Sequence, residues 1–318
     1  MRRIARLLTA ALLSALVSVN FIAFMQARAM SCFADGGERT RRPEQLGLVD
    51  KLAVLATGIR IPRPINHRAP KDLHLDFETH RFANADGAML EAWFIPSAND
   101  RALIALFHGY GASKSTLLTA AEAFHHLGYP TLLVDFYGSG GSSGSGTTLG
   151  VKEADDVAAA VEYARRTWPE RPIVLYGISM GGAAVLRSVA VNKVRVDALI
   201  VEATFDSLLN AGKNRFRAMN LPGVPLAELL LFWGSVQNGF NMFAHNPVDY
   251  ARSVREPALI LHGEADTRAT PDQARRLADA LGANARLILY AGVPHMAIVE
   301  ARPDEWRRDV AHFLEKLR

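Results

Sequence analysis

A single cysteine, Cys32, is all that this 318-residue chain contains. No disulfide can close within it, and a metal site built on paired cysteines is excluded. The fold must hold by burial, for which a composition 49% hydrophobic and 21% charged supplies an ample core. Charge of one sign is also scarce. Lys and Arg number 36 against 32 Asp and Glu, a formal net charge of +4. Much of that excess is arginine near the start: Arg2, Arg3, Arg6, Arg39, Arg41 and Arg42. No basic stripe interleaved with aromatics follows, so nucleic acid is not an expected partner. Phosphate loops are lacking too. The stretch Gly109–Ser115 has no glycine before Lys114, as G-x-x-x-x-G-K-[ST] demands, and Ser143 stands where the last glycine of G-x-G-x-x-G would fall after Gly138. With no metal cluster or cofactor signature, no cofactor is expected. No internal repeat is visible.

What the chain does have is a long apolar run at its start. After the basic tip Met1–Arg6, residues Leu7 to Met25 carry no charge. A helix needs about 20 apolar residues to cross a bilayer, whereas a cleaved signal has an apolar region of roughly 7–15. The run fits a membrane anchor better, although Ala27-Arg28-Ala29 matches an A-x-A cleavage site. Both remain open for residues 1–30. Ala29-Met30-Ser31-Cys32 lacks the leucine of a lipoprotein processing box. Because the run is apolar all round, it is not expected to be a helix of the core. The leading arginines should stay cytoplasmic, placing the remainder outside the cytosol.

Residues 31–70 read as a polar, Pro-containing linker with a short helix in the apolar patch Leu46–Ile59. Beyond them lies the domain, residues 71–318. Leu73, Leu75 and Phe77 alternate with polar residues like a strand, and Met89–Ile95 makes a second strand after the turn Asn84–Gly87, together an antiparallel hairpin. From residue 101 short apolar runs alternate with amphipathic helices. Strands are expected at Ala102–Phe107, Thr131–Phe136, Ile173–Tyr176, Ala198–Val201, Ala258–Leu261 and Arg286–Tyr290. Helices are expected at Ser115–Leu127, Val151–Thr167, Gly181–Val191, Pro271–Leu281 and Asp304–Leu317. This is an α/β pattern: a mostly parallel sheet covered on both faces. Residues 206–256, rich in Leu, Phe and Met, break the rhythm and read as a helical insertion over the carboxyl edge of the sheet.

Gly177-Ile-Ser-Met-Gly181 is a G-x-S-x-G motif placed between an expected strand and helix. A sharp turn there presents the Ser179 hydroxyl above the sheet, and the glycines avoid clashes with neighbouring backbone. A second match, around Ser142, sits in the Gly/Ser stretch 138–146 with no helix starting at once after it; a floppy turn cannot hold a strained nucleophile. The partners expected in chain order are an acid and then a histidine, each after a later strand. Asp266 and His295 meet that requirement. Glu264 is the second choice of acid, and Glu202 and Asp206 follow an earlier strand. His262 is expected to pack at a strand end, and His125 and His126 to lie at the surface. An oxyanion hole needs two N–H donors. Met180, next after the nucleophile, supplies one, and the loop Phe107-His-Gly-Tyr-Gly111 the other, from Tyr110 or, second, Gly111.

These five motifs (Phe107–Gly111, Asp135–Ser142, Gly177–Gly181, His262–Asp266 and Pro294-His295) resemble the α/β-hydrolase superfamily in order and interval, over roughly Asp72 to Leu317. Within it the chain looks most like the Bem46-like and dienelactone-hydrolase-like branches of small esterases. The resemblance implies that Asp135 and its glycine loop shape the floor of the site without reacting, and that Tyr137 departs from a frequent arginine. The function expected is cleavage of a carboxylic ester through an acyl-enzyme. The partner is then a small-molecule ester or acyl substrate, with the membrane reached through the N-terminal segment. The apolar stretch Leu221–Phe243 either holds an acyl or aromatic group or simply packs the lid. A serine oligopeptidase, a thioesterase and a non-catalytic tethered scaffold are the alternatives, since a fold does not fix a function.

Overall fold

The computed structural model describes residues 2–41, 46–99 and 101–317; Arg42 lies outside the described residues. The apolar runs of the sequence pair into one sheet. Its strands are β1 (Glu78–Ala83), β2 (Met89–Ile95), β3 (Leu103–Phe107), β4 (Thr131–Val134), β5 (Ile173–Ile178), β6 (Ala198–Glu202), β7 (Ala258–Gly263) and β8 (Ala285–Tyr290). The order is β1-β2-β4-β3-β5-β6-β7-β8. The hairpin β1–β2 and the pair β2–β4 are antiparallel, and every later pairing is parallel. All residues of β3, β4, β6 and β7 are buried, as the uninterrupted apolar runs require of strands covered on both faces.

Among the described residues, seven helices cover that sheet. On one face α4 (Glu153–Thr167), α5 (Met180–Ala190), α8 (Pro247–Ala251) and α9 (Pro271–Leu281) build a core with Val157, Leu186, Tyr250 and Leu277. On the other, α3 (Leu118–His126), α10 (Ile298–Ala301) and α11 (Pro303–Glu315) bury Phe124, Ile298 and Trp306. The expected helices hold to within a few residues. One expected strand does not. Leu73, Leu75 and Phe77 pack against the second core, but Pro70–Leu73 is a 3-10 turn ended by His74 at φ 56°, and pairing begins only at Glu78. The alternation reflects side chains reaching a core from an unpaired segment. The true β1 is an edge strand with one buried residue, Phe82, so it carries little apolar signal.

The insertion folds as α6 (Leu208–Ala218) and α7 (Leu226–Asn238), closed by the 3-10 turn Met242–Ala244. Phe205, Leu208, Leu231 and Met242 pack it over the start of α5. Against α7 lies α1 (Arg2–Ser31), whose two halves differ. Residues 2–19 are exposed throughout, while Ala23, Ala27 and Ser31 are buried. Trp233 of α7 donates its indole N–H to Asn20 Oδ1 (3.1 Å) and meets Phe24 edge-on at 5.5 Å, and Gln237 donates to the Phe24 carbonyl (2.8 Å). Between α1 and the sheet domain, α2 (Leu48–Thr57) is the short helix expected.

The rest of the linker is strapped down. Phe33 N–H bonds the Ser145 carbonyl (2.8 Å), and the Arg63 guanidinium donates to the carbonyls of Gly140, Ser142 and Gly144. The Gly/Ser stretch is therefore held, not floppy: its carbonyls converge on one planar cation. Ser142 is 3% exposed and bonds the Asp135 carbonyl (2.7 Å), so it is a loop staple. Beneath it sits a buried ion cluster. Lys114, fully buried, contacts the Asp135 and Glu91 carboxylates and stands 4.3 Å above the Trp93 ring. Burial opposes ionisation of Asp135, but the charge and hydrogen bonds of Lys114 outweigh it and hold the carboxyl below its ordinary range. Lys114→Met should cost about 3–5 kcal/mol, because the fully buried Asp135 would lose its cation, while Glu91 keeps Arg81 (2.8 Å). Urea denaturation of the purified protein measures this; a loss under 1 kcal/mol would contradict the role given to the cluster.

Candidate active site

The turn from β5 into α5 has almost no room. A Cβ at Gly177 would lie 2.6 Å from the Gly181 carbonyl carbon, and one at Gly181 would overlap the Phe107 carbonyl. Only glycine satisfies both. Between them Ser179 adopts φ 54°, ψ −114°, a backbone conformation costing roughly 1–3 kcal/mol. It is held there by its own N–H, which donates to the Glu202 carbonyl at the end of β6 (2.7 Å). The strain lifts the hydroxyl clear of the sheet, at the N-terminus of α5, where unpaired N–H groups favour negative charge.

Two later strands bring its partners. The loop after β8 places His295 with Nε2 3.2 Å from Ser179 Oγ, and the loop after β7 places Asp266 with Oδ2 2.6 Å from His295 Nδ1. Asp266 is 2% exposed, and its other oxygen accepts the N–H groups of Arg268 (2.8 Å) and Ala269 (3.0 Å). The carboxylate is thus fixed by backbone before it meets the imidazole. The rival acids are occupied otherwise. Glu264 is exposed; Asp206 is paired with Arg276 (2.7 Å); Glu202 faces away into the second core. His262 is buried, with Nε2 donating to the Ala269 carbonyl (2.7 Å). His126 is exposed as expected, but His125 is half-buried on α3 and its Nδ1 is shielded from solvent.

The loop after β3 approaches the elbow from the side. A Cβ at Gly109 would stand 3.6 Å from that of Ser179. His108 fixes this loop: Nδ1 donates to the Gly109 carbonyl (2.9 Å) and Nε2 accepts the Phe136 N–H (3.1 Å). Burial pushes its pKa down, keeping it neutral for both bonds. Motif reading left this residue without a role, because Phe136, the partner that ties it to another loop, lies 28 positions away. Tyr110 and Met180 both line the cavity above Ser179, and the Tyr110 hydroxyl is spent on the Met30 carbonyl of α1 (2.7 Å). That cavity is about 540 Å³, mostly apolar, and is roofed by α1 (Ala27, Met30), α6 (Leu208, Ala211) and α7 (Leu231).

A family model described as serine aminopeptidase, S33, matches residues 98–220, a stretch that includes Ser179. An uncharacterized protein of Mycobacterium tuberculosis is 30% identical over 215 residues, covering 66% of this chain and 69% of its own. Protein bem46 of Schizosaccharomyces pombe is 26% identical over 215 residues, 65% of this chain and 67% of its own. Among solved structures, an esterase of Pyrococcus furiosus superposes with a TM-score of 0.68 at 24% identity, over 80% of this chain and 96% of that one. This chain is a Bem46-like α/β-hydrolase.

In this α/β-hydrolase a further buried acid supports the histidine loop. Glu202 accepts from the Ile298 N–H (2.6 Å), the Trp306 indole (3.0 Å) and the Tyr176 hydroxyl (2.9 Å), three residues beyond His295 and on two neighbouring elements. Burial nevertheless dominates and pushes its pKa up to about 7. The fold then binds a proton that the unfolded chain, at about 4.5, has released. The contribution of Glu202 to stability is full below about pH 4.5 and is lost as pH rises to about 7. Comparing wild type with Glu202→Gln, the stability difference should move in favour of the variant by about 3 kcal/mol across that window. Denaturant midpoints at pH 5 and pH 8 measure it; a pH-independent difference would refute the assignment.

Proposed function

We propose that this α/β-hydrolase is a serine esterase anchored in a membrane by α1. The observation that carries the reading is the line Ser179–His295–Asp266, with its hydroxyl at the floor of an apolar cavity. Ser179 Oγ attacks the ester carbonyl as His295 Nε2 takes its proton. Asp266 holds Nδ1–H and stabilises the imidazolium. The N–H groups of Met180 and Tyr110 receive the oxyanion, each worth about 3–4 kcal/mol. Collapse expels the alcohol, which leaves with the proton from His295. Water then attacks the acyl-enzyme, passes its proton to His295, and releases the acid as the proton returns to Ser179. A cavity of this size lies within the roughly 300–1,000 Å³ typical of small-molecule sites.

The description of the matching family model raises peptide cleavage as a second reading. An aminopeptidase must bind an ammonium group, which calls for carboxylates. Among the described residues the cavity is lined by one carboxylate residue, Glu300, against Arg39, Arg215 and Arg268, which favours the ester.

For the anchor, residues 2–19 span about 27 Å as a helix, close to the ~30 Å hydrocarbon core, and the arginines at their start favour the cytoplasmic side. Cleavage after Ala29 would remove Phe24 and Ala27 from beneath the lid. We therefore read α1 as retained and the catalytic domain as extracytoplasmic.

A fluorophosphonate probe should label the wild-type protein and not Ser179→Ala, with turnover of p-nitrophenyl esters by the former alone. Asp266→Asn should keep its circular dichroism and lose about 10⁴ in kcat, because the amide favours the wrong imidazole tautomer. An unlabelled, well-folded wild type would end the esterase reading in favour of the scaffold. The intact mass of the membrane-extracted protein should include residues 2–29, and protease should reach the domain only from the extracytoplasmic face; a mature start after Ala29 or cytoplasmic exposure would reject the anchor and its topology.

A further inference from the structure

A second, smaller cavity of about 70 Å³ adjoins the catalytic one, and Met30, Arg39, Arg215 and Leu230 line both. Four cations border the second cavity: Arg39, Arg41, Lys51 and Arg215. No Asp or Glu borders it among the described residues. The four come from separate pieces of chain, the strap after α1, helix α2 and lid helix α6, so the fold has gathered them. Arg39 donates to the Gly111 carbonyl (3.0 Å) and Lys51 to the Met219 carbonyl (3.4 Å), and neither forms an ion pair among the described residues. Two other cations on or beside the lid are matched: Lys213 pairs with Glu228 (2.9 Å) and Arg276 with Asp206 (2.7 Å). Arg215, half-buried, has no such carboxylate among the described residues. Arg39 and Arg215 both act on the Tyr110 phenol, which places their fields at the rim of the catalytic cavity.

Arg39 and Arg41 are exposed while Lys51 and Arg215 are half-buried, so solvent screens their mutual repulsion only in part and an anion among them would relieve the rest. We infer that Arg39, Arg41, Lys51 and Arg215 form an anion-binding subsite for the substrate: a phosphate-bearing, single-chain acyl ester whose acyl chain lies in the apolar cavity under α1, α6 and α7. The inference rests on the esterase reading for its cleavage step but on the cations alone for its binding step. The chemistry recognised is a phosphomonoester beside an acyl chain, and the fork geometry of arginine suits it.

The test compares lysophosphatidic acid with the monoacylglycerol of the same chain, substrates that differ by the phosphate alone, using the full chain in neutral detergent micelles. The wild type should favour the phosphorylated ester in kcat/KM by roughly tenfold or more, less so as salt rises. In Arg215→Gln and in Lys51→Gln that ratio should fall toward one, while Arg255→Gln, an exposed arginine before β7, should keep it. A wild-type ratio near one, or a ratio that neither variant moves, overturns the subsite. Binding of the same two molecules to Ser179→Ala by calorimetry separates the two failures. A preference for the phosphorylated ligand that Arg215→Gln abolishes sustains the subsite even if no ester is turned over, and equal binding of both ligands rejects it even if esters are cleaved. Competition by glycerol 3-phosphate shows that the anion suffices; competition only by acylated forms ties recognition to the lipid, and both sustain the subsite.

Discussion

Everything at the candidate site depends on one steric constraint: strand β5 must turn into α5 within the space left between the β3 backbone and its own helix. Gly177, Gly181 and Gly182 meet it because a Cβ at any of them would overlap backbone or the Thr204 hydroxyl. Ser179 absorbs the turn at φ 54° and is pinned by the Glu202 carbonyl. The pinning atom belongs to β6, so the strain at Ser179 is held by the sheet itself. Since a residue in such a conformation persists only where its surroundings over-determine it, the position of Ser179 is inseparable from the packing of three adjacent strands.

A second layer of constraint is electrostatic and buried. Asp135 collects Lys114, Asn66 and the Gly141 N–H; Glu202 collects Ile298, Trp306 and Tyr176; Glu153 collects Thr147, Thr148 and the Gly150 N–H. Asp135 and Glu202 sit where loops leave the sheet and Glu153 opens α4, and each fastens backbone that no ladder reaches. Satisfied networks of this kind rigidify because leaving any member unpaired in a dry site is costly. The loops that carry Tyr110 and His295 are both tied in this way, the first through His108 and the second through Glu202.

Much of this architecture was legible from pattern. The α/β alternation, the lid insertion and the three residues that meet above the sheet follow from apolar runs, a G-x-S-x-G turn and strand-end loops. What escaped did so for identifiable reasons. The alternation at Leu73, Leu75 and Phe77 came from packing without pairing, while the true edge strand has almost no apolar face to betray it. His108 and Lys114 looked like loop residues because Phe136, Glu91 and Asp135, which they fasten, are remote in sequence. The Gly/Ser stretch looked loose because its organiser, Arg63, lies 77 positions before Gly140.

The sequence by itself determined which residues are chemically able to act, since local sterics and short-range periodicity are written in neighbouring positions. It also determined that residues 2–19 are long and apolar enough to lie in a bilayer. Only the tertiary structure decided that the lower half of the same helix roofs the cavity above Ser179, that Asp266 and not Asp206 reaches the histidine, and that four scattered cations border one hollow. Those are distances between chain segments far apart in order, and they exist only once the sheet, strap and lid have packed.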